Sequence, residues 1–472
     1  MSNAFDALRS ANIGADILAA SMAGGDALMR RQRERLDRVL EHAVAQSPFY
    51  RSRIGAGLRA KPSLRDFPIV AKRELMRAFD DWVTDPAVDL ASVTAFMSDP
   101  ARIGRDFLGR YSVWQTSGST GEPAVFVQDA QAMAVNDSLE SLRRPAVQPL
   151  RRLFDPWYLS ERTAFVGATS GHFASVVSIE RLRRLNPAVR ASVRGFSFLA
   201  PLTTLCDQLG RFRPTVLATY PTAAVMLAEE AAAGRLDVAL REVWTGGEAL
   251  TDAMRAVIER RFDCPVVNQY GASEFLPLAT TCLHGRLHHN CDWSLLENVD
   301  ARGLPVPEGE TGATVLLTNL ANRVQPLVRY DLGDRIRFVP GGCACGSSLP
   351  VLEIEGRTDE VLVLRTERGR RVQLLPLALS TVLEDDAQVF DFQLQGSGER
   401  AIRLRLGPGQ PDREAAAARA SAALGHWLRA QGLGRVAIDF RPDEAPLKGR
   451  SGKIARVLCT PAAPDDAVRR PH

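Results

Sequence analysis

Chemistry-capable residues cluster in a few short stretches. Thr116 to Pro123 reads T-S-G-S-T-G-E-P. Gly118 and Gly121 let a backbone turn its N–H groups inward, and the hydroxyls of Thr116, Ser117, Ser119 and Thr120 add donors, a combination suited to phosphate oxygens. No Gly-Lys-Ser/Thr follows at the spacing of a Walker A loop, so alone the stretch reads equally as a polar turn. Asn268 to Glu274, N-Q-Y-G-A-S-E, follows an apolar run and offers an aromatic face (Tyr270), a hydroxyl (Ser273) and a carboxylate (Glu274). Arg329 to Asp334, R-Y-D-L-G-D, ends in an acid able to accept from both hydroxyls of a ribose. Pro446 to Ile454, P-L-K-G-R-S-G-K-I, sets Lys453 behind a flexible glycine turn. Each has an ordinary alternative as a core tyrosine, a solvated acid or a basic surface loop. Their joint order and spacing are harder to set aside.

The cysteines suggest a different chemistry. Cys282, His288 and the C-A-C of Cys343 and Cys345 supply three sulfurs and an imidazole, a complete tetrahedral zinc set if folded together. Glycines around G-G-C-A-C-G let both thiolates turn toward one ion. His284, His289 or Cys291 are alternatives to His288, and free thiols are the alternative to a metal site.

Among the elements that must position these residues, Met29 to Ala45 places Leu36, Val39, Leu40 and Ala43 on one helical face before Ser47-Pro48 stops it. Between about 164 and 356, short apolar runs such as T-V-L-A-T-Y, E-V-W-T-G, P-V-V-N-Q-Y and A-T-V-L-L-T-N alternate with helical or loop segments. That alternation predicts an α/β fold, a large N-terminal domain with several sheets and helices. Past Asp359 the pattern becomes a small α+β domain, with an alanine-rich helix from Asp412 to Gln431. The expected domains are 1–357 and 358–460, with 461–472 expected to be a disordered tail.

Composition narrows the class. A chain of 472 residues exceeds what one core usually organises. A net charge of +4, from 59 basic and 55 acidic side chains, argues against a nucleic-acid partner. No apolar run reaches the roughly 18 residues of a membrane span. Seven cysteines, an odd number, fit a reducing cytoplasm better than a secreted disulfide framework.

Taken in order, the phosphate-type loop, Y-G-A-S-E, the Asp334 motif, G-R-T-D-E at Gly356 to Glu360 and the terminal Gly-Lys resemble the adenylate-forming superfamily of acyl-CoA synthetases and luciferases. A-V-A-Q-S-P-F-Y-R (Ala43 to Arg51) and F-P-I-V-A-K-R-E-L (Phe67 to Leu75) look like the opening segments of its phenylacetate-CoA ligase branch. The resemblance covers nearly the whole chain.

It implies ATP-dependent conversion of a carboxylic acid, aromatic rather than long-chain, to an acyl-AMP and transfer to coenzyme A. A non-CoA acceptor, an amine or a carrier-protein thiol, is the alternative. The same resemblance implies that Thr116 to Gly121 hold the β and γ phosphates, Tyr270 and Gly271 lie against adenine, Ser273 approaches the α-phosphate and Glu274 ligates magnesium. Gly246, Gly247 and Glu248 of W-T-G-G-E match a strand end beside adenine and the acyl group. Asp334 is expected to take the ribose hydroxyls, Arg357 to assist, Lys453 to catalyse adenylation and Asp359 to act as the hinge of the C-terminal domain. His172, Phe173 and Tyr220 are candidates for the acyl pocket, and some members of the branch carry a structural zinc at places matching the cysteine set. Glu122 departs from the pattern, since relatives often carry lysine there. Oligomeric state is not encoded in these motifs, and a homodimer is the default.

Overall fold

In a computed structural model of the chain, residues 6–54, 61–116, 123–144, 160–354, 362–389, 391–407, 410, 412–447 and 456–458 are described. The chain divides into two compact units. The larger comprises Met1–Thr116, Ala124–Ser197 and Cys206–Gly356, the smaller Ser117–Pro123, Phe198–Leu205 and Arg357–His472.

The larger unit contains strands β1 (Ser112–Gln115), β2 (Val125–Gln128), β3 (Thr163–Gly167), β4 (Val193–Ser197), β5 (Val216–Thr219), β6 (Glu242–Gly246) and β7 (Val266–Ala272). They are followed by β8 (Phe275–Thr281), β9 (Leu287–His289), β10 (Ser294–Val299), β11 (Thr314–Asn319), β12 (Tyr330–Asp331), β13 (Ile336–Val339) and β14 (Val351–Ile354). β1 and β2 form an antiparallel hairpin, β10-β11-β12 a three-stranded sheet, and the rest a nine-stranded sheet in the order β13-β14-β9-β8-β7-β6-β5-β3-β4. From β7 to β4 the strands are parallel; β8, β9, β14 and β13 extend the sheet antiparallel.

The order reverses at β3. Its connection runs outward to β4, whereas that of the adjacent β5 runs the other way to β6, so the two diverge at the carboxyl ends of neighbouring strands. Such a reversal opens a crevice where α/β sheets bind ligands. Right-handed crossovers put the helix after β3, Ala174–Leu185, on one face, and those after β5 and β6, Pro221–Ala232 and Asp252–Phe262, on the other. Alternation separates the faces: Ala164, Val166, Leu217, Thr219, Val243 and Thr245 are buried, while the register-aligned row Phe165, Ala218, Trp244 is only half-buried.

N-terminal helices Ala7–Ser21 and Gly25–Gln46 are tied to the segment before β10. Gln32 Nε2 donates to the Cys291 carbonyl and Arg35 to the Asp292 carbonyl, both at 2.7 Å, while Arg143, at the end of the helix Ala130–Leu142, meets the Asp292 carboxylate at 2.6 and 2.8 Å with both side chains buried. Arg35 pairs with Asp16 and lies 3.6 Å over the Trp293 ring. The expected packing helix is thus longer than its apolar stripe, because Gln32 continues the buried face with a polar contact.

The smaller unit has a hairpin of Leu362–Arg365 with Arg371–Leu374, and a four-stranded sheet. Its strand order is Ala437–Phe440, Ala401–Leu406, Phe392–Gly398, Val457–Leu458. The helix Arg413–Ala430 buries Ala416, Ala420, Leu424 and Leu428. Among the described residues no helix is long and apolar enough to cross a membrane.

Candidate active site

The Thr116 loop is the tip of the β1–β2 hairpin. Thr116 closes its neck: its N–H donates to the Ala124 carbonyl and its hydroxyl oxygen accepts from the Ala124 N–H, both at 2.9 Å. Ser117, Gly118, Ser119, Thr120, Gly121 and Glu122 lie outside the described residues. Buried amides brace the hairpin from behind. Gln325 accepts from the Val127 N–H at 2.8 Å and donates to the Val125 carbonyl at 3.1 Å, and Asn322 donates to the Val127 carbonyl at 2.8 Å. From the front, Trp114, fully buried, donates its indole N–H to the Ser273 carbonyl at 2.8 Å. One bond therefore fixes the hairpin against Y-G-A-S-E.

That segment ends β7 and turns into β8, with a register shift between Tyr270 and Ala272. Gly271 sits in the irregularity, where a Cβ would come within 1.9 Å of the Leu276 carbonyl oxygen. Only glycine allows the two backbones to approach this closely. Tyr270 is buried and its hydroxyl donates to Asp334 at 2.9 Å; burial and the neighbouring carboxylate push its pKa well above the ordinary phenol value. Glu274 is buried too, its backbone carbonyl taking a 3.0 Å bond from Asn319 Nδ2. Burial raises its carboxyl pKa, while a hydrogen bond from the Tyr330 hydroxyl and the charge of Lys72 oppose the rise. Lys72 is delivered by a short parallel bridge. Val70 N–H donates to the Arg329 carbonyl at 3.1 Å and Asp331 N–H to the Val70 carbonyl at 3.0 Å, which seats Val70 beside Tyr330.

Gly246 ends β6 and Gly247 follows with φ +80°, a conformation L residues rarely adopt. A Cβ on Gly247 would stand 3.0 Å from the Tyr220 ring. Tyr220 caps the helix Pro221–Ala232, and burial, the Glu248 charge and a hydrogen bond with Ser175 set its phenol, the net effect being a raised pKa. Glu248 accepts from the N–H and hydroxyl of Thr222, at 3.2 and 2.7 Å, an anion at a helix N-terminus. Phe173 precedes the Ala174–Leu185 helix and is bridged to Gln115, whose N–H donates to the His172 carbonyl at 2.8 Å. The His172 ring turns inward. It is 2% exposed, lies 5.9 Å from the Phe96 ring, and burial lowers its pKa.

Cys282, His288, Cys343 and Cys345 are brought together, their ligand atoms all within 4.8 Å of one another. A tetrahedral zinc with bonds of about 2.3 Å to sulfur and 2.0 Å to nitrogen requires edges of roughly 3.8 Å between sulfurs and 3.5 Å from sulfur to nitrogen. Cys282 and Cys343 sulfurs are 3.8 Å apart, and Cys345 Sγ is 3.4 Å from His288 Nε2. His288 Nδ1 bonds the Leu349 carbonyl at 2.9 Å, which leaves Nε2 facing the sulfurs. Of the alternatives, His289 is engaged elsewhere with the Ser294 hydroxyl at 2.9 Å, and Cys291 is buried against the N-terminal helices.

Arg357, Asp359 and Lys453 lie outside the described residues, as does the expected tail. Sequence reading missed Tyr330 and Lys72, the partners of Glu274, and the bracing amides Asn322 and Gln325. Lys72 stood in the opening segment F-P-I-V-A-K and Tyr330 beside Asp334; no spacing rule links them, because the connection is a bridge between distant segments.

The pattern of an AMP-binding enzyme matches residues 112–317, which span β1 to β11 and the Y-G-A-S-E turn. The phenylacetate-coenzyme A ligase of Escherichia coli (strain K12) is 27% identical over 359 residues, 72% of this chain and 73% of that protein. That of Pseudomonas putida is 26% identical over the same shares. A solved 2-hydroxyisobutyryl-CoA ligase with 2-HIB-AMP and CoA superposes with a TM-score of 0.58 at 20% identity, covering 93% of this chain and 91% of that one, and so shares the fold. The chain is an adenylate-forming enzyme of the AMP-binding class. Within that superfamily its similarity is to the phenylacetate-coenzyme A ligases, over about three quarters of the chain.

Proposed function

We infer that this protein activates a carboxylic acid, aromatic in preference, with ATP and transfers the acyl group to coenzyme A. The carrying observation is that Trp114–Ser273, Tyr270–Asp334 and Tyr330–Glu274 contacts join the hairpin, the Y-G-A-S-E turn and the Asp334 strand end into one continuous construction. The kinship with phenylacetate-CoA ligases supports the acceptor.

In the first step a carboxylate oxygen of the acid attacks the α-phosphorus, the bond to the bridging oxygen breaks, and pyrophosphate leaves. In the second, a thiol sulfur attacks the acyl carbon, the acyl–phosphate bond breaks, AMP leaves and the thiol proton passes to solvent. Asp334, oriented by Tyr270, accepts from the ribose hydroxyls. Backbone and hydroxyl donors of Thr116 to Gly121 hold the phosphate tail, and Lys453 neutralises charge between the carboxylate and the α-phosphate. Glu274 fits a magnesium ion, one carboxylate plus substrate phosphates being its usual protein share; bound there, the ion offsets the charge developing on the phosphates. Arg357 assists at the nucleotide, and Asp359 is the hinge between the two half-reactions. Cys282, His288, Cys343 and Cys345 hold a closed, structural zinc, with no position left for chemistry.

Pyrophosphate exchange across a panel of aromatic and aliphatic acids, then product mass spectrometry with and without coenzyme A, tests the reading. Exchange with aromatic acids and a thioester with coenzyme A are expected; exchange without a thioester would move the acceptor to another nucleophile. Lys453→Ala should lower exchange by about 100-fold or more while ATP binding changes little. An unchanged exchange rate would remove the lysine from its role.

A further inference from the structure

Six non-glycine residues among those described have a positive φ, and one of them adjoins the site: Arg329, at φ +52°. An L side chain in this left-handed region is strained and persists only where its neighbours over-determine it. Arg329 is held through both backbone polar groups and two guanidinium nitrogens. Its N–H donates to Oγ1 of the buried Thr318 on β11 at 3.0 Å, and its carbonyl accepts from the Val70 N–H at 3.1 Å. Its Nε donates to Glu297 of β10 and its Nη1 to the Phe67 carbonyl, both at 3.1 Å. A glycine would take the same φ freely, but it could make neither of the last two bonds.

The left-handed turn decides where the next residue points. Tyr330 opens β12, paired with Leu317 of β11 on one side and bridged to Val70 on the other. Its ring is buried in the core that also holds Phe67 and Val70, and its hydroxyl donates to Glu274. Arg329 also grips the segment from Phe67 to Val70 at both ends, through Nη1 at Phe67 and its own carbonyl at Val70. Lys72, whose charge acts on Glu274, follows two residues on. One residue therefore locates both partners of the carboxylate. An ion pair that merely joins β10 to this segment would need the guanidinium and no left-handed backbone.

We propose that Arg329 is a positioning residue for the Glu274 carboxylate: its left-handed turn aims the Tyr330 hydroxyl at Glu274, so that the carboxylate is oriented before nucleotide and magnesium arrive. This role rests on Glu274 as the magnesium ligand, as inferred above. Groups that orient a ligand typically carry about 10–100-fold in metal affinity or activity.

The test measures binding of a non-hydrolysable ATP analogue to the full-length enzyme by calorimetry over a magnesium series, with pyrophosphate exchange over the same series. Glu274→Gln is the reference and should raise the magnesium requirement. Tyr330→Phe, which keeps the packed ring, and Arg329→Ala should each raise the magnesium concentration for half-maximal binding by about tenfold, with exchange at saturating magnesium changing less. Arg329→Gly should recover part of what Arg329→Ala loses, since glycine adopts this φ without strain. The double variant Arg329→Ala with Tyr330→Phe should shift no further than Tyr330→Phe alone, because Arg329 acts through that ring. Where the alanine variant fails to fold, Arg329→Lys, which keeps the charge but not the fork, takes its place in the same cycle. A shift in Glu274→Gln with none in Tyr330→Phe, additive shifts in the double variant, or equal impairment of the alanine and glycine variants would each overturn the positioning role and leave the metal reading standing. An unchanged magnesium requirement in Glu274→Gln condemns the metal reading, and the positioning role with it.

Discussion

At the residue scale the site sets the buried Glu274 and the half-buried Asp334 among neighbours that no motif names. Glu274 illustrates the cost. Its folded pKa lies above the ordinary carboxylate value because burial outweighs Tyr330 and Lys72. The folded chain therefore binds the proton more tightly than the unfolded one, and stability declines as pH rises from the unfolded value of about 4.3 through the raised folded one. Glu274→Gln should accordingly melt higher than the parent protein at pH 8, with the gap closing as pH falls toward 4.3, while exchange activity falls. Thermal melts over that pH range check it, and a variant that melts lower at pH 8 would show that the carboxylate's partners outweigh its burial. Such trade of stability for function is common where a charge must wait for its ligand. Glu274, Tyr270 and Asp334 were singled out by the order of their motifs and given roles by the family resemblance; their partners Tyr330 and Lys72 were not, since they arrive through a bridge from residue 70 to residue 330.

At the element scale, turns do the positioning. Gly271 permits the close crossing of β7 and β8, and the Cys282 and Cys343 turns face each other because β9 pairs with β14, placing His288 opposite Val351. Here the sequence was informative: thiolates and an imidazole at those spacings implied a closed set, and Cys282, His288, Cys343 and Cys345 do converge. What spacing left open was which histidine joins. Strand register decides it, His288 being aimed at the sulfurs and His289, one residue on, at the opposite face of the sheet, where it meets Ser294. Purified protein should carry about one zinc per chain, and Cys343→Ser should lose most of it and lower Tm, since a structural metal contributes directly to folding. Full metal content with an unchanged Tm in that variant would exclude Cys343 as a ligand.

At the scale of the whole molecule, the alternation of short apolar runs with helical segments was enough to read an α/β sheet in the larger unit and an α+β pattern in the smaller one, because strands buried on both faces, such as β2 and β11, read as continuous apolar runs. The reversal of strand order at β3 was not readable, since it depends on which way a crossover turns and not on local pattern. Nor was the assignment of Phe198–Leu205 to the smaller unit, a contact property of the folded chain. The larger unit's principal segment ends at Gly356 and the smaller's begins at Arg357, just before Asp359. The two half-reactions need different groups beside one adenylate, and a hinge that exchanges them acts as a gate rather than as a reacting group. Fixing φ at position 359 with proline should therefore separate the half-reactions. In Asp359→Pro, pyrophosphate exchange should persist while thioester formation from preformed acyl-AMP and coenzyme A falls by an order of magnitude or more, read in single-turnover assays. Equal loss of both would mean that residue 359 supports the fold or the nucleotide, and the hinge would have to be sought elsewhere in the chain.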